Sequence, residues 1–314
     1  MNPTFPTLQD LEKARERIAP YANRTPVLTS RTFDALARAE LFFKCENFQR
    51  VGAFKFRGAC NAIMALDDPP CVATHSSGNH AQAVALAAKI RGIPAHVVMP
   101  TGAPAAKRRA VEGYGARIID CANTLEAREQ TLETVLAETG AVAIHPYDDP
   151  YVVAGQATAT LELLEEVPDL DLVLTPVGGG GLMSGAALAC RYTSPSTKVI
   201  ACEPALADDA HEGFRTGVRV GPRPPETVAD GLRTALGELT FAIMREHVSD
   251  VRTVSEDEIV STTRRVFERM KIVIEPSSAV PIAVALRGNW QAKRIGVLIS
   301  GGNLDLDRLP WQDS

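Results

Sequence analysis

Short apolar runs, each closed by turn residues, alternate along this chain with alanine-rich stretches of helical spacing. That alternation constrains the fold more than any other feature. The runs are Leu41-Phe42-Phe43, Val72-Ala73-Thr74, Ala95-His96-Val97-Val98-Met99, Arg117-Ile118-Ile119, Leu172-Val173-Leu174, Lys198-Val199-Ile200-Ala201 and Ile295-Gly296-Val297-Leu298-Ile299. All read as buried strands. The stretches from Ala81 to Ile90, Ala105 to Glu112, Leu125 to Glu138 and Gly185 to Cys190 read as helices. Strands alternating with helices predict an α/β protein with mainly parallel sheets flanked by helices. The Pro/Gly/Arg-rich segment from Gly217 to Thr227 reads as a surface loop. No low-complexity tract, repeat or dividing linker interrupts the pattern.

Charge and composition exclude several roles. The formal net charge of -5 leaves no basic surplus to neutralise nucleic-acid phosphates. No apolar run is long enough to span a bilayer. The polar start, Met1-Asn2-Pro3-Thr4, lacks the layout of a secretory signal. Cys45, Cys60, Cys71, Cys121, Cys190 and Cys202 form no CxxC pair and no zinc-spaced cluster, so free thiols in a reducing compartment are expected. A cytoplasmic protein is the expectation.

Three glycine-containing turns follow predicted strands, where parallel α/β proteins bind ligands. In Thr74-His75-Ser76-Ser77-Gly78-Asn79-His80, hydroxyl and amide oxygens meet the start of a helix; the turn is either a helix cap or a carboxylate cradle. In Val177-Gly178-Gly179-Gly180-Gly181-Leu182, four consecutive glycines carry an entropic cost that is tolerated where backbone N–H groups close around an anion, a phosphate above all. The GK[ST] ending of a Walker loop is absent, and no acidic ribose partner marks a dinucleotide site. Ile299-Ser300-Gly301-Gly302-Asn303 places a hydroxyl at a strand end or is a plain turn.

Lys55 lies in Gly52-Ala53-Phe54-Lys55-Phe56-Arg57-Gly58. An ammonium between aromatic rings is either desolvated, which lowers its pKa and readies it for Schiff-base chemistry, or reaches out to solvent. The order of motifs, Phe-Lys-Phe-Arg-Gly, Ser-Ser-Gly-Asn-His, four glycines and Ser-Gly-Gly-Asn, resembles the fold-type II pyridoxal-phosphate enzymes. The nearest likeness is to serine racemases, serine/threonine dehydratases and β-hydroxyaspartate dehydratases. It extends from Thr25-Pro26-Val27-Leu28 to Asp305-Leu306, through Phe43-Lys44-Cys45-Glu46-Asn47, His145-Pro146, Ala154-Gly155-Gln156, Val228-Ala229-Asp230-Gly231 and Glu275-Pro276-Ser277-Ser278.

The resemblance implies a two-lobed molecule: a large cofactor-binding domain of residues 1–65 and 146–314, and a small mobile domain of residues 66–145. It also implies roles. Lys55 would hold pyridoxal 5'-phosphate covalently and act as a base on one face of the substrate. Phe54 would pack on the pyridine ring, and Asn79 would bond the ring oxygen. Gly178, Gly179, Gly180, Gly181 and the Leu182 amide would hold the phosphate. Ser300 would meet the ring nitrogen, with Gly231 and Glu275 lining the ring. Ser76, Ser77, Asn79 and His80 would take the substrate carboxylate, and Arg128 a second anionic group. Glu203, the Ala207 carbonyl and Asp209 match a divalent-cation site, with oxygen ligands suited to Mg²⁺ or Ca²⁺; an acidic surface loop is the other reading of that stretch.

The activity implied is that of a dehydratase (ammonia-lyase) turning L-threonine, L-serine or 3-hydroxyaspartate into a 2-oxo acid and ammonia. A neutral hydroxyl at Ser300 makes a weaker electron sink than a carboxylate partner, which suits loss of a β leaving group. Ser77, across from Lys55, would open the alternative, a serine racemase with elimination as a side activity. A homodimer acting on a small amino acid is expected. With a short tail after Asp305, no carboxy-terminal regulatory domain of the kind found in biosynthetic threonine dehydratases is expected.

Overall fold

The computed structural model describes residues 3–103, 105–221, 223–224, 226–290 and 293–312. Met1 and Asn2 of the polar start, Pro222 and Pro225 of the predicted loop, and Asp313 and Ser314 lie outside the described residues. The rest of the Gly217–Thr227 segment that is described contains no helix or strand.

Each apolar run is a strand. One sheet has the order β1 (Val27–Leu28), β2 (Glu40–Cys45), β10 (Arg294–Ile299), β7 (Leu172–Pro176), β8 (Lys198–Pro204) and β9 (Asp250–Val254). Only β1 runs antiparallel; the remaining pairs are parallel. The second sheet, all parallel, has the order β5 (Arg117–Cys121), β4 (Ala95–Pro100), β3 (Val72–His75) and β6 (Val142–Ala143). Its strands all fall between Val72 and Ala143, so this part of the chain is inserted between the strands of the larger sheet.

Parallel sheets need apolar cover on both faces. One face of the larger sheet packs on α1 (Leu8–Ile18), α7 (Pro150–Glu166), α8 (Gly181–Thr193) and α10 (Glu238–His247). The other packs on α2 (Arg31–Ala37), α11 (Glu256–Met270) and α12 (Pro276–Arg287). The smaller sheet lies between α3 (Lys55–Ala65), α4 (Asn79–Arg91) and α5 (Ala105–Gly113) on one side and α6 (Leu125–Thr139) on the other. Helix α3 serves both bodies. Phe56, Ala59 and Ile63 join the core of the small sheet, while Gly155 of α7 comes so close to α3 that a Cβ would stand 2.6 Å from the Arg57 carbonyl. Remaining elements are α9 (Asp209–Thr216) and short 3₁₀ turns, including Asp230–Leu232.

A charged cluster lies beneath the start of α3. Arg57 donates from Nε to Glu46 Oε2 at 2.7 Å and from Nη1 to Glu162 Oε1 at 2.7 Å, and Lys44 Nζ donates to Glu162 Oε2 at 2.7 Å. Lys44, Glu46 and Arg57 are essentially inaccessible to solvent. Burial works against the Arg57 charge, but the carboxylates of Glu46 and Glu162 more than offset it and raise its pKa. Two cations facing two carboxylates satisfy the pairing that buried charge requires.

Candidate active site

The carboxyl ends of the strands from both sheets open onto one cleft, and the backbone explains why Lys55 and Ser300 meet there. Segment Gly52–Phe54 lies antiparallel to Ser300–Gly302: Phe54 N donates to Ser300 O at 2.9 Å, Gly302 N donates to Gly52 O at 2.9 Å, and Ala53 bridges Gly301. Just before it, Val51 has φ 56°, a left-handed conformation that is costly for a β-branched residue. The Asn303 amide holds it in place, donating from Nδ2 to Val51 O at 2.7 Å. The sequence carries no signal for this strain.

Lys55 opens α3. Its Nζ donates to the Pro146 carbonyl at 2.7 Å and stands 5.2 Å from the centroid of the Phe54 ring and 5.9 Å from that of Tyr147. Desolvation pushes its pKa down to about 8, against the opposing pull of the Glu275 carboxylate. Of the two readings open for an aromatic-flanked lysine, the desolvated one holds. The surrounding histidines add no positive charge at neutral pH. Burial, then the Lys55 charge, drives His80 down to about 3; burial drives His145 down to about 4 and lowers His75 as well.

A buried polar chain faces the lysine. Glu275 occupies the N-cap position of α12, where its side chain makes no capping bond, and is 3% exposed. It accepts from Asn79 Nδ2 at 2.9 Å and from Ser300 Oγ at 3.3 Å. Burial, reinforced by the Asp230 charge, raises its pKa to about 7. Ser300 Oγ lies 3.0 Å from Ser278 Oγ, and Asn303 Nδ2 donates to Asn79 Oδ1 at 2.8 Å. Gly231, exposed at the cleft, donates from its amide to Ser277 Oγ at 3.1 Å.

The four glycines join β7 to α8. Gly178 and Gly180 have φ of 52° and 86°, and a Cβ on Gly179 would stand 2.2 Å from the Tyr147 ring. Glycine is therefore required here by backbone conformation at two positions and by ring packing at a third. Gly181 and Leu182 begin α8, whose first-turn amides have no partner within the helix. Thr240 Oγ1 ties the turn down through Gly179 O at 2.9 Å. A helix start built of glycine is a ready anion cradle.

The first turn lies at the end of β3. Ser76, Ser77 and Gly78 precede α4, with Asn79 and His80 in its first turn. Ser76 Oγ accepts from Gly78 N at 3.3 Å, and no side-chain oxygen caps the helix. Asn79 is instead committed to Glu275 and Asn303. The buried His80 ring bonds Ile144 O through Nε2 at 3.0 Å, leaving Nδ1 without a partner. Arg128, in the first turn of α6, donates from Nη2 to Asn123 Oδ1 at 3.1 Å; its buried Nε is unpartnered, and its charge reaches His75.

The predicted cation ligands have a second employment. Glu203, 1% exposed, accepts from Ala210 N at 3.3 Å and His211 N at 2.8 Å, and so caps α9. Asp209, close enough to raise the Glu203 pKa further beyond the effect of burial, has a buried Oδ2 with no partner. Among the described residues no group of three or more His, Cys, Asp or Glu side chains converges as a metal site, so two carboxylates and the Ala207 carbonyl are what this loop offers.

Sequence reasoning passed over Tyr147, Ser278, Asn303 and the Pro146 carbonyl. His145-Pro146 and Ser300-Gly301-Gly302-Asn303 were both part of the motif set, and their neighbours could have been drawn in with them. The free amine, the neutral hydroxyl, the anion cradle and the buried carboxylate together suit a phosphorylated carbonyl cofactor held by a lysine.

Comparisons agree. The profile described as "Pyridoxal-phosphate dependent enzyme" matches residues 18–301. The chain is 49% identical to the beta-hydroxyaspartate dehydratase of Paracoccus denitrificans over 98% of its length and 99% of that protein. It is also 49% identical to the L-threo-3-hydroxyaspartate ammonia-lyase of Saccharomyces cerevisiae, over 96% of its own length and 95% of that protein's. The structure of maize serine racemase superposes with a TM-score of 0.95 at 46% identity, covering 99% of this chain and 97% of that one. The chain belongs to the family of pyridoxal-phosphate dependent enzymes.

Proposed function

We propose that this protein is an ammonia-lyase that converts a small 3-hydroxy amino acid, 3-hydroxyaspartate foremost, to a 2-oxo acid and ammonia by α,β-elimination. The observation that carries the reading is the pairing of a desolvated Lys55 amine, its pKa near 8, with the neutral Ser300 hydroxyl across the same cleft. The 49% identity to two proteins named for hydroxyaspartate elimination supports the substrate.

Pyridoxal phosphate, when bound, supplies an electron sink for the Cα–H bond. The chain supplies the rest. Lys55 would hold the cofactor, and its neutral amine would take the Cα proton. Phe54 would pack on the ring, Asn79 would bond its oxygen, and Gly231 and Glu275 would line it. Ser300 would leave the ring nitrogen without a carboxylate partner, which favours loss of the β-hydroxyl as water, with the proton taken from Cα by Lys55 returned to the leaving oxygen. Gly178, Gly179, Gly180, Gly181 and the Leu182 amide would hold the phosphate. Ser76, Ser77, Asn79 and His80 seat the substrate carboxylate at the start of α4. The unpartnered Nε of Arg128 offers a donor for a distal carboxylate. Residues 66–145 act as a mobile small domain against 1–65 and 146–314. The released enamine then tautomerises to an imine, and water hydrolyses that to the 2-oxo acid and ammonia.

The deciding experiment incubates the holoenzyme with 3-hydroxyaspartate, L-threonine and L-serine and measures oxo-acid formation. Oxo acid from none of them overturns the reading. Replacing Arg128 with Ala is expected to cut hydroxyaspartate turnover far more than threonine turnover; equal losses remove the distal-carboxylate role.

A second reading, serine racemase with elimination alongside, is favoured by Ser77, which has no hydrogen-bond commitment among the described contacts and sits two residues from Asn79. The likeness to maize serine racemase adds support. Chiral chromatography after incubation with L-serine decides; absence of D-serine ends it.

The unpartnered Asp209 Oδ2 beside Glu203 and the Ala207 carbonyl fits a hard cation, Mg²⁺ or Ca²⁺. Thermal stability rising with either ion, and no rise in Asp209→Asn, is the expected pattern; no response in the unaltered protein refutes the site. A cytoplasmic homodimer completes the proposal. All six free cysteines are buried, as suits a reducing compartment, and sedimentation tests the dimer.

A further inference from the structure

One charged contact across the cleft has no role so far. Lys107, in the first turn of α5, donates from Nζ to Asp230 Oδ2 at 2.5 Å. Asp230 immediately precedes Gly231. Among the ion pairs of the described residues, this is the only one joining the segment 72–143 to the rest of the molecule.

A partly exposed pair is ordinarily worth little. The mechanics on its two sides set this one apart. The Asp230 side is fixed: Gly231 N is held by Ser277 Oγ, Arg233 Nε donates to Thr227 O at 2.9 Å, and Val228 N donates to Glu256 Oε2 at 2.8 Å. The α5 side is anchored to its own sheet, by Val111 in the core and by Arg108, which donates from Nη1 to Asp120 Oδ1 at 2.7 Å. Gly102, Gly113 and Gly115 flank the helix, and a Cβ at any of them would meet nothing within 4 Å. A charge on a fixed turn therefore ties to the larger body a helix whose other ion pair, Arg108 with Asp120, stays within its own sheet. The pair also stands over the buried carboxylate of the site: beyond burial, the Asp230 charge raises the Glu275 pKa and the Lys107 charge lowers it.

We infer that Lys107 is a positioning residue, whose ion pair with Asp230 holds α5 of the smaller body against the turn that carries Gly231. Holding the cleft shut contributes to binding of the substrate and of the reacting state alike, so its loss falls mainly on KM.

The test uses the holoenzyme with Lys107→Ala, Lys107→Arg, Lys107→Glu and the exchanged pair Lys107→Glu/Asp230→Lys. Two readouts are taken: oxo-acid kinetics and amide hydrogen exchange over residues 105–113. Lys107→Ala is expected to raise KM roughly fivefold, the upper end for a partly exposed pair, with a smaller change in kcat and faster exchange over α5. Lys107→Arg stays near the unaltered protein in both. The exchanged pair recovers both relative to Lys107→Glu alone. Unchanged exchange in Lys107→Ala, or an exchanged pair no better than Lys107→Glu, overturns the inference. Only the kinetic readout rests on the lyase reading. If no hydroxy amino acid is turned over, that reading fails while hydrogen exchange still judges Lys107.

Discussion

At the scale of residues, the site sets two groups on opposite sides of their ordinary ionisation. Lys55 is shifted down to about 8, so its neutral amine becomes available as pH rises through that value. Uptake of pyridoxal phosphate by the cofactor-free protein, which needs the neutral amine, should therefore climb with pH to a plateau, with a midpoint near 8; a flat rate over roughly pH 6 to 10 would contradict the lowered pKa of Lys55. Glu275 is shifted the other way, from 4.5 to about 7, because a buried carboxylate beside Asp230 resists ionisation. A raised pKa means the native state binds protons more tightly than the unfolded one. That contribution to stability is complete below about 4.5 and is lost as pH rises through about 7. Glu275→Gln should flatten the fall in melting temperature across this window in cofactor-free protein, which differential scanning calorimetry at a series of pH values checks. An unchanged slope would contradict the assignment. From the sequence, Lys55 could be singled out only by its company of motifs. Its desolvation and the protonation of Glu275 depend on partners far away in the chain, and no local pattern encodes them.

At the scale of elements, legibility followed burial among the strands. Every apolar run proved to be a strand, and the four alanine-rich stretches lie within α4, α5, α6 and α8. Edge and cap elements escaped. The edge strand β9, Asp-Val-Arg-Thr-Val, is only half-buried at Asp250, Arg252 and Thr253 and carries charge, and β1 and β6 are two residues each. Helix α12 contains Pro281 in its interior, which works against a helical reading. The start of α3 depends on the cluster below it. Arg57→Met leaves Glu46 buried without its cation and should cost about 3–5 kcal/mol of stability, measured by denaturant unfolding. A loss under about 1 kcal/mol would show that the cluster relaxes without it. In the glycine turn, Gly179→Ala forces a methyl into the Tyr147 ring. The expected result is a tenfold or greater loss of pyridoxal-phosphate affinity, roughly 1.4 kcal/mol, with unchanged helical content. Retained affinity would mean that Tyr147 yields.

At the scale of the molecule, two sheets share one core helix. The inner face of α3 belongs to the core of the small sheet, yet α3 also touches α7 at backbone distance. A boundary at residue 65 therefore cuts between α3 and the sheet it helps to cover. The sequence offered no linker to mark a division, and the structure supplies the reason: the two bodies are joined through packed backbone. Unfolding of the holoenzyme is accordingly expected as one cooperative step, with near- and far-ultraviolet circular dichroism tracing the same transition. A first step that loses about half the helical signal would show the sheets to be separable.

The inserted segment has one further consequence. It enters at β3 and leaves at β6, which are neighbours in the sheet, and Val142 N donates to Cys71 O at 3.0 Å where the two crossings meet. Ser76, Ser77, His80 and Arg128 all lie inside it, while Lys55, the glycine turn, Glu275 and Ser300 lie outside. Substrate recognition, as proposed, is thus written in one uninterrupted stretch of gene, and cofactor chemistry, Asn79 apart, in its flanks. A lineage can change what it degrades by recombining or rewriting that stretch while inheriting the reaction intact, so relatives of near-equal similarity can differ in the amino acid they act on.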